Sequence, residues 1–474
     1  MALRPSSVPL RVPLPAPPES SLLEVPDPES DRARAVSPAI SRLLATANTD
    51  PSFESAAVSA LVAKLLYFAA ACCLDYATLL LLMAGSHGCR DGILEVQRHL
   101  RRRGSPTWGE HTVVDGMWIF RVKRPLGSPP AFKARYVARG FSQRQGVEYF
   151  QTFFPTPKMT TLRVLLHVAA QRDYELHSLD FSIAFLQCSL HEEIWLRRPP
   201  GFTGKFPAST QWSLHQPVYG LHQAPREWHD TLRTTLAALG FAPSTRDPSL
   251  FLRTDTSLPP FYVLVYVDDL VFATADTEAL TLVKSDLQKR HTCTDLSELR
   301  SYLGLQITRD RARRTITLTQ SHMVHQVLVF WLPVLLATDH FSVYQPLALS
   351  STFGRVRRAE CTSGMGLVLG GRGPVFLTGH ADASWVDDSA TRRSSQGYIF
   401  SLGSGSVSWR STRLSSVLSS SCEAEIYAGA MAAQELRWLT YLLTDLGEQP
   451  RSPPVLYVDN KAMIALCQEH RMEH

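Results

Sequence analysis

The pattern of apolar and polar positions divides the chain into stretches of different texture. Residues 1 to 50 show no sustained apolar period and are rich in Pro, Ser and acidic side chains. Proline removes amide donors and blocks helix, so this stretch predicts a disordered linker. Leu61 to Gly85, LVAKLLYFAAACCLDYATLLLLMAG, is almost continuously apolar and predicts a helix at about 57–85. Asp75 stands at its centre, where a carboxylate would cost about 2.5–3.5 kcal/mol in a bilayer, so the segment is expected to pack rather than cross a membrane. The whole of 1–105 is read as disordered or low-complexity linker around that helix.

From about residue 106 short β-rich runs alternate with helical periods: GMWIFRVKR, the amphipathic Thr161–Gln171, then YELHSLDFSIAFL. The alternation predicts an α+β domain over 106–327. It breaks near Leu328, and 328–360 reads as an atypical short connection whose apolar run is interrupted by Pro333. After about Cys361 it resumes with the strands MGLVLGG, PVFLTGHADASW and GYIFSLGSGSVSW, a long helix from Cys422 to Leu443, a strand at VLYVDN and the start of another helix. That order predicts a second, smaller α/β unit over 361–474.

Composition changes this picture little. The 474 residues are 45% hydrophobic and 19% charged, which excludes a wholly disordered or collagenous chain. A formal net charge of +5 and a pI near 8.7 are compatible with a polyanionic partner without requiring one. Cys72, Cys73, Cys89, Cys188, Cys293, Cys361, Cys422 and Cys467 form no CxxC pair and no zinc-spaced cluster, which points away from a disulfide framework and toward a reducing compartment. The N-terminus lacks an apolar core with a small-residue cleavage site, so an intracellular location, cytoplasmic or nuclear, is expected.

The strongest chemical signal is FYVLVYVDDLVFA, where Asp268 and Asp269 interrupt two β-branched runs. Adjacent acids are costly to bury, so a tight turn that exposes them at its tip is the natural solution. Such a hairpin can present carboxylates to metal, and nucleotidyl transfer requires two divalent ions held by several carboxylate oxygens. A further acid must come from another strand, and LDFSIAFL supplies Asp180. Taken alone, the pair also reads as a solvated hairpin turn. A second acid set follows: Asp382 at the end of an apolar run in GHADASW, Glu423 and Glu425 at a helix start, and Asp459 at the end of a strand. Strand end, helix start and strand end can converge on one rim of a sheet; each residue also has a plain reading as a turn or helix cap.

The blocks FKARYVARGFSQRQGVEYFQTFFPTPKMTTLRVLL, LDFSIAFLQCSLHEEIWLRRPPGF, PVYGLHQAPREWHDTL, YVDDL and ELRSYLGLQI, in that order, resemble the reverse transcriptase of copia-type LTR retrotransposon polyproteins. The resemblance implies right-hand-like fingers and palm, with Asp180, Asp268 and Asp269 as metal-binding triad for two Mg2+ or Mn2+ ions. It implies that Phe185 lies beneath the incoming sugar, although simple core packing is an equal reading. Lys133 and Arg135 would face the triphosphate, and Tyr219 and Gly220 would lie near nucleotide and template. DASW, RSSQGYIF, SWRS, SSCEAEIYA and VDNKA resemble the ribonuclease H domain of the same elements, which implies Asp382, Glu425 and Asp459 as a second two-metal set, with Glu425 chosen over Glu423. The implied partners are an RNA template, a DNA primer, an RNA:DNA hybrid, dNTPs and retrotransposon particle proteins.

The chain departs from that pattern in several places. The long connection that carries the family's thumb is replaced by the short text of 328–360, which should weaken the grip on a duplex. The ribonuclease H pattern is cut short at His474, so a C-terminally truncated domain is expected. Cys188 replaces a usual Gly, His222 replaces a usual Lys or Arg, and no protease, zinc knuckle or integrase pattern lies upstream. The competing expectation is a catalytically impaired remnant that at most binds nucleic acid.

Overall fold

The computed structural model describes residues 100–101, 113–123, 131–147, 149–197, 211–321, 364–388, 390–403, 405–448 and 453–469. The helix predicted at 57–85 and the connection at 328–360 lie outside them. Among the described residues no helix is long and apolar enough to cross a membrane.

The first strands are Leu100–Arg101 (β1), Val113–Val114 (β2) and the paired Gly116–Lys123 (β3) and Ala131–Ala138 (β4). Helix Met159–Arg172 (α1) leads to strand Glu175–Phe181 (β5), then Ile194–Arg197 (β6) and Gln211–Leu214 (β7). Helix Ala224–Ala238 (α2) precedes Phe241–Pro243 (β8), Leu250–Arg253 (β9), Phe261–Tyr266 (β10) and Asp269–Thr274 (β11). Helix Thr277–Arg290 (α3), Cys293–Glu298 (β12), Ser301–Tyr302 (β13), Leu305–Asp310 (β14) and Thr315–Thr319 (β15) follow. The C-terminal part contains Leu367–Gly370 (β16), Leu377–Ser384 (β17), Ser395–Leu402 (β18), Gly405–Arg413 (β19), helix Ser421–Asp445 (α4), Val455–Tyr457 (β20) and helix Lys461–Glu469 (α5). Antiparallel sheets mixed with helices give the α+β character that the alternation predicts.

The sheet that matters most has the order β12-β5-β11-β10-β9-β8, antiparallel throughout. Its centre is apolar on both faces: Val263, Leu264, Val271 and Phe272 are all fully buried. Strand residues alternate sides, so Leu264, Val271 and Ala273 pack in one cluster with Leu162, Leu165, Leu166 and Ala169 of α1. A buried strand of this kind reads as a continuous run of β-branched and aromatic residues, which is what FYVLVY and LVFA present.

Two elements differ from the sequence reading. Within the predicted 1–105 linker, Leu100–Arg101 is a strand antiparallel to β7; a sheet edge offers unpaired backbone that any two residues can complete, so composition carries no trace of it. Leu367–Gly370, grouped by sequence with the C-terminal unit, pairs instead with β15 in the sheet β13-β14-β15-β16. Its apolar alternation announced a strand but not its partner.

The C-terminal sheet, order β19-β18-β17-β20, has α4 against β17 and β18 through Ala424, Ala428 and Ala432. It shares one continuous hydrophobic core with α1 and the six-stranded sheet. Where α4 ends, Tyr262 of β10 donates to the Leu446 carbonyl at 2.7 Å, and Arg172 at the end of α1 grips buried Glu448 with two bonds of 2.5 and 2.8 Å. Arg163 of α1 donates to the Val407 carbonyl and lies over the Trp409 ring. Arg172→Ala should therefore strand a buried carboxylate and lower stability by about 1–2 kcal/mol, discounted because the guanidinium is half exposed. Chemical denaturation should show that loss as an earlier midpoint in a single shared transition.

Candidate active sites

β10 and β11 form a hairpin whose last register pair is Tyr266 with Asp269, leaving Val267 and Asp268 as the turn. Val267 has φ +54°, a left-handed conformation that suits two-residue hairpins but strains a β-branched side chain. On the neighbouring strand Asp180 stands directly opposite Asp269, and the Phe181 amide donates to the Asp268 carbonyl at 2.8 Å. The structure thus brings Asp180, Asp268 and Asp269 to one end of three adjacent strand segments. Burial first, then the charges of Asp268 and Asp180, push the Asp269 carboxyl up to about 6. A buried carboxyl crowded by like charges is relieved by cations, and carboxylate oxygens are the donors that Mg2+ and Mn2+ take. By chemistry the three suit a divalent ion; among the described residues, the acids whose oxygens are drawn within 4.8 Å of one another are those of the C-terminal sheet.

Phe185 is buried and its ring lies 4.6 Å from that of Tyr219, while the Arg135 guanidinium sits 4.8 Å above Tyr219. Lys133 is on β4, opposite Arg121, and its side chain is outside the described residues. Gly220 has φ +95°, and a Cβ there would lie 2.0 Å from the Ala138 carbonyl oxygen; the Ala138 amide donates to the Tyr219 carbonyl at 2.8 Å. Only glycine permits that approach. Arg135, Phe185, Tyr219 and Gly220 are therefore gathered into one wall, with the PVYG segment pressed against the end of β4.

In the C-terminal sheet Asp382 on β17, Glu425 in the first turns of α4 and Asp459 just after β20 each offer a carboxylate oxygen within 4.8 Å of the others. Glu425 is only 7% exposed; its Oε1 accepts from the Ala383 amide at 3.3 Å and its Oε2 has no hydrogen-bond partner. Burial chiefly raises its pKa, and the charges of Asp382 and Asp459 add to that. A buried, orphaned carboxylate oxygen facing two more acids fits a cation. Glu423 is engaged differently: it accepts from the Ser419 amide and hydroxyl, while the Ser420 hydroxyl caps its amide, a capping arrangement that starts α4.

A family model described as reverse transcriptase (RNA-dependent DNA polymerase) matches residues 107–347. The chain belongs to the reverse transcriptase family. The retrovirus-related Pol polyproteins from transposons RE2 and RE1 of Arabidopsis thaliana are 33% and 31% identical to it over 417 residues, covering 77% of this chain. The chain spans 28% of their length. Their kinship agrees with the copia-type character of the sequence blocks. Among solved structures, a foamy viral protease-reverse transcriptase in complex with double-stranded DNA aligns at 12% identity and TM-score 0.42, over 79% of this chain and 62% of that one.

Sequence reasoning assigned no role to three residues that surround the reverse transcriptase acids. Trp228, inside the PREW block, is 1% exposed and its indole N–H donates to the Val267 carbonyl at 2.7 Å. His291 completes an aromatic group with Trp228 and Phe181. Tyr302, inside the SYLG block, has a buried hydroxyl without a partner and lines, with Asp269, Ser178 and Gly304, a cavity of about 430 Å³. An indole and a phenol hinted at Trp228 and Tyr302, because such a group must find a polar partner or leave one wanting; His291 carried no such signal.

The pKa of Asp269 fixes a sign. A carboxyl whose folded value, about 6, exceeds its ordinary 3.8 contributes stability that is complete below 3.8 and lost as pH rises through 6. Above pH 6 without metal, Asp269→Asn should therefore melt at a higher temperature than the unsubstituted protein. The difference should vanish below the ordinary carboxylate pKa, and added Mg2+ should raise the melting point of the unsubstituted protein by more than that of the variant. Calorimetry across this pH range reads all three.

Proposed function

We propose that this chain is the RNA-directed DNA polymerase of a copia-type retrotransposon with an attached ribonuclease H-like unit, acting by two-metal nucleotidyl transfer. The single observation that carries the reading is the register of Asp180 against Asp269 beside the Val267–Asp268 turn. On this reading 106–327 are fingers and palm, 328–360 a short connection, and 361–474 the ribonuclease H-like unit.

Asp180, Asp268 and Asp269 would hold the ions, which when bound would supply charge neutralisation on the triphosphate and acidify the attacking 3′ hydroxyl. Arg135, and Lys133 on the same strand, bind the triphosphate; a guanidinium matches phosphate oxygens with paired donors. The Phe185 ring, tilted against Tyr219, closes the floor under the sugar and excludes a 2′ hydroxyl, favouring dNTPs. The Gly220 backbone lets the wall approach nucleotide and template. An RNA template, a DNA primer and particle proteins of the element are the partners, and the setting is intracellular. Primer extension on an RNA template with Mg2+ or Mn2+ should yield product that Asp268→Asn, Asp269→Asn eliminates. Product equal to that control would leave a silent nucleic-acid-binding remnant.

The second acid set supports hydrolysis of the RNA strand of an RNA:DNA hybrid, with Asp382, Glu425 and Asp459 holding two ions near the attacked phosphate. Hybrid recognition rests on A-like shape and 2′ hydroxyls. Glu425→Gln should lower hybrid cleavage by about a hundred-fold or more, the scale of losing a principal charge in such a site, and leave primer extension intact. Equal cleavage by the variant in a labelled-RNA gel assay refutes the assignment.

A further inference from the structure

Trp228 touches both the strand that delivers Asp180 and the turn that holds Asp268. Its position is set by α2, whose buried side chains Trp228, Leu232, Thr235 and Leu236 follow helical spacing. The ring packs edge-on against Phe181, 4.9 Å between centroids at 73°, and Phe181 is the residue next to Asp180. Its N–H donates at 2.7 Å to the carbonyl of Val267, the residue before Asp268. His291 closes the group, edge-on to both rings at 5.5 and 5.7 Å, and its Nε2 is 3.0 Å from the Thr235 hydroxyl of α2.

Two features make the indole hydrogen bond more than packing. Val267 is held at φ +54°, where a β-branched residue resists staying, so the turn needs an external partner to keep that conformation. In the same hairpin Asp269 stands directly opposite Asp180, a like-charge pair that pushes the strands apart unless something anchors them. One side chain reaches both: ring to the Asp180 strand, N–H to the Asp268 turn.

We infer that Trp228 is a positioning residue that fixes the spacing of the three acids by clamping the Val267 carbonyl to the strand of Asp180. The inference rests on the polymerase reading given above. It does not place Trp228 in contact with substrate or ion; it acts through the hairpin.

Two replacements test it: Trp228→Phe, which keeps a ring, and the benzothienylalanine analogue at 228, which keeps the indole shape and lacks only the N–H. The analogue preserves packing even if the smaller ring does not fold. Mn2+ binding is followed by electron paramagnetic resonance, counting only the part that Asp268→Asn, Asp269→Asn abolishes, and primer extension is resolved into kcat and KM for dNTP. The analogue should weaken that Mn2+ binding by about two- to ten-fold, the worth of one neutral hydrogen bond, and lower kcat with KM unchanged. Adding Val267→Gly, which removes the strain of the left-handed turn, should restore part of the loss. Unchanged Mn2+ binding and kcat in the analogue overturn the positioning role. If the double-aspartate control itself abolishes no Mn2+ binding in the unsubstituted protein, the polymerase reading has failed instead.

Discussion

Asp180 facing Asp269 across a sheet is an unfavourable juxtaposition, because like charges directly opposite each other destabilise a strand pair. Everything around the site serves to hold it. The strands that carry the acids are clad in Leu264, Val271 and Phe272, none with measurable exposure, so the apolar sheet supplies the stability that the carboxylates subtract. Burial, with the charges of Asp268 and Asp180 added, raises the pKa of the Asp269 carboxyl, and positive charge beside it would relieve that cost. The same logic recurs in the C-terminal sheet, where Glu425 is buried beside Asp382 and Asp459 with one oxygen left without a partner.

Strain sits where the chemistry is proposed. Ile183 and Val267, both β-branched, occupy the left-handed region, one just after the Asp180 strand and one at the Asp268 turn. Such conformations persist only where surrounding structure over-determines them. The surrounding structure here is the aromatic group of Phe181, Trp228 and His291 together with the backbone bond from Phe181 to Asp268.

The two sheets that carry acids are not independent bodies joined by a tether. α1 packs beneath the six-stranded sheet and beside β16 and β19, so its apolar residues belong to one cluster with Phe400, Val407 and Leu442. Polar contacts at the rim of this core include Arg172 with Glu448, Tyr262 with Leu446 and Ser244 with Asp445. Asp445 and Leu446 end the helix that Glu425 begins, so α4 links the second acid set mechanically to the first sheet.

The sequence by itself determined the element types and the chemistry they carry. FYVLVYVDDLVFA announced a hairpin with both acids in its turn; the turn is Val267–Asp268, and Asp269 is instead the first residue of β11, part-buried opposite Tyr266. The blocks around it marked the reverse transcriptase family. Only the tertiary structure decided which strand stands beside which: that Asp180 pairs with Asp269, that Leu367–Gly370 joins β15, and that Trp228 reaches the Val267 carbonyl. Periodicity records which face of an element is apolar, whereas register and neighbours arise from packing between segments far apart in the chain, and a local pattern holds no record of distant partners.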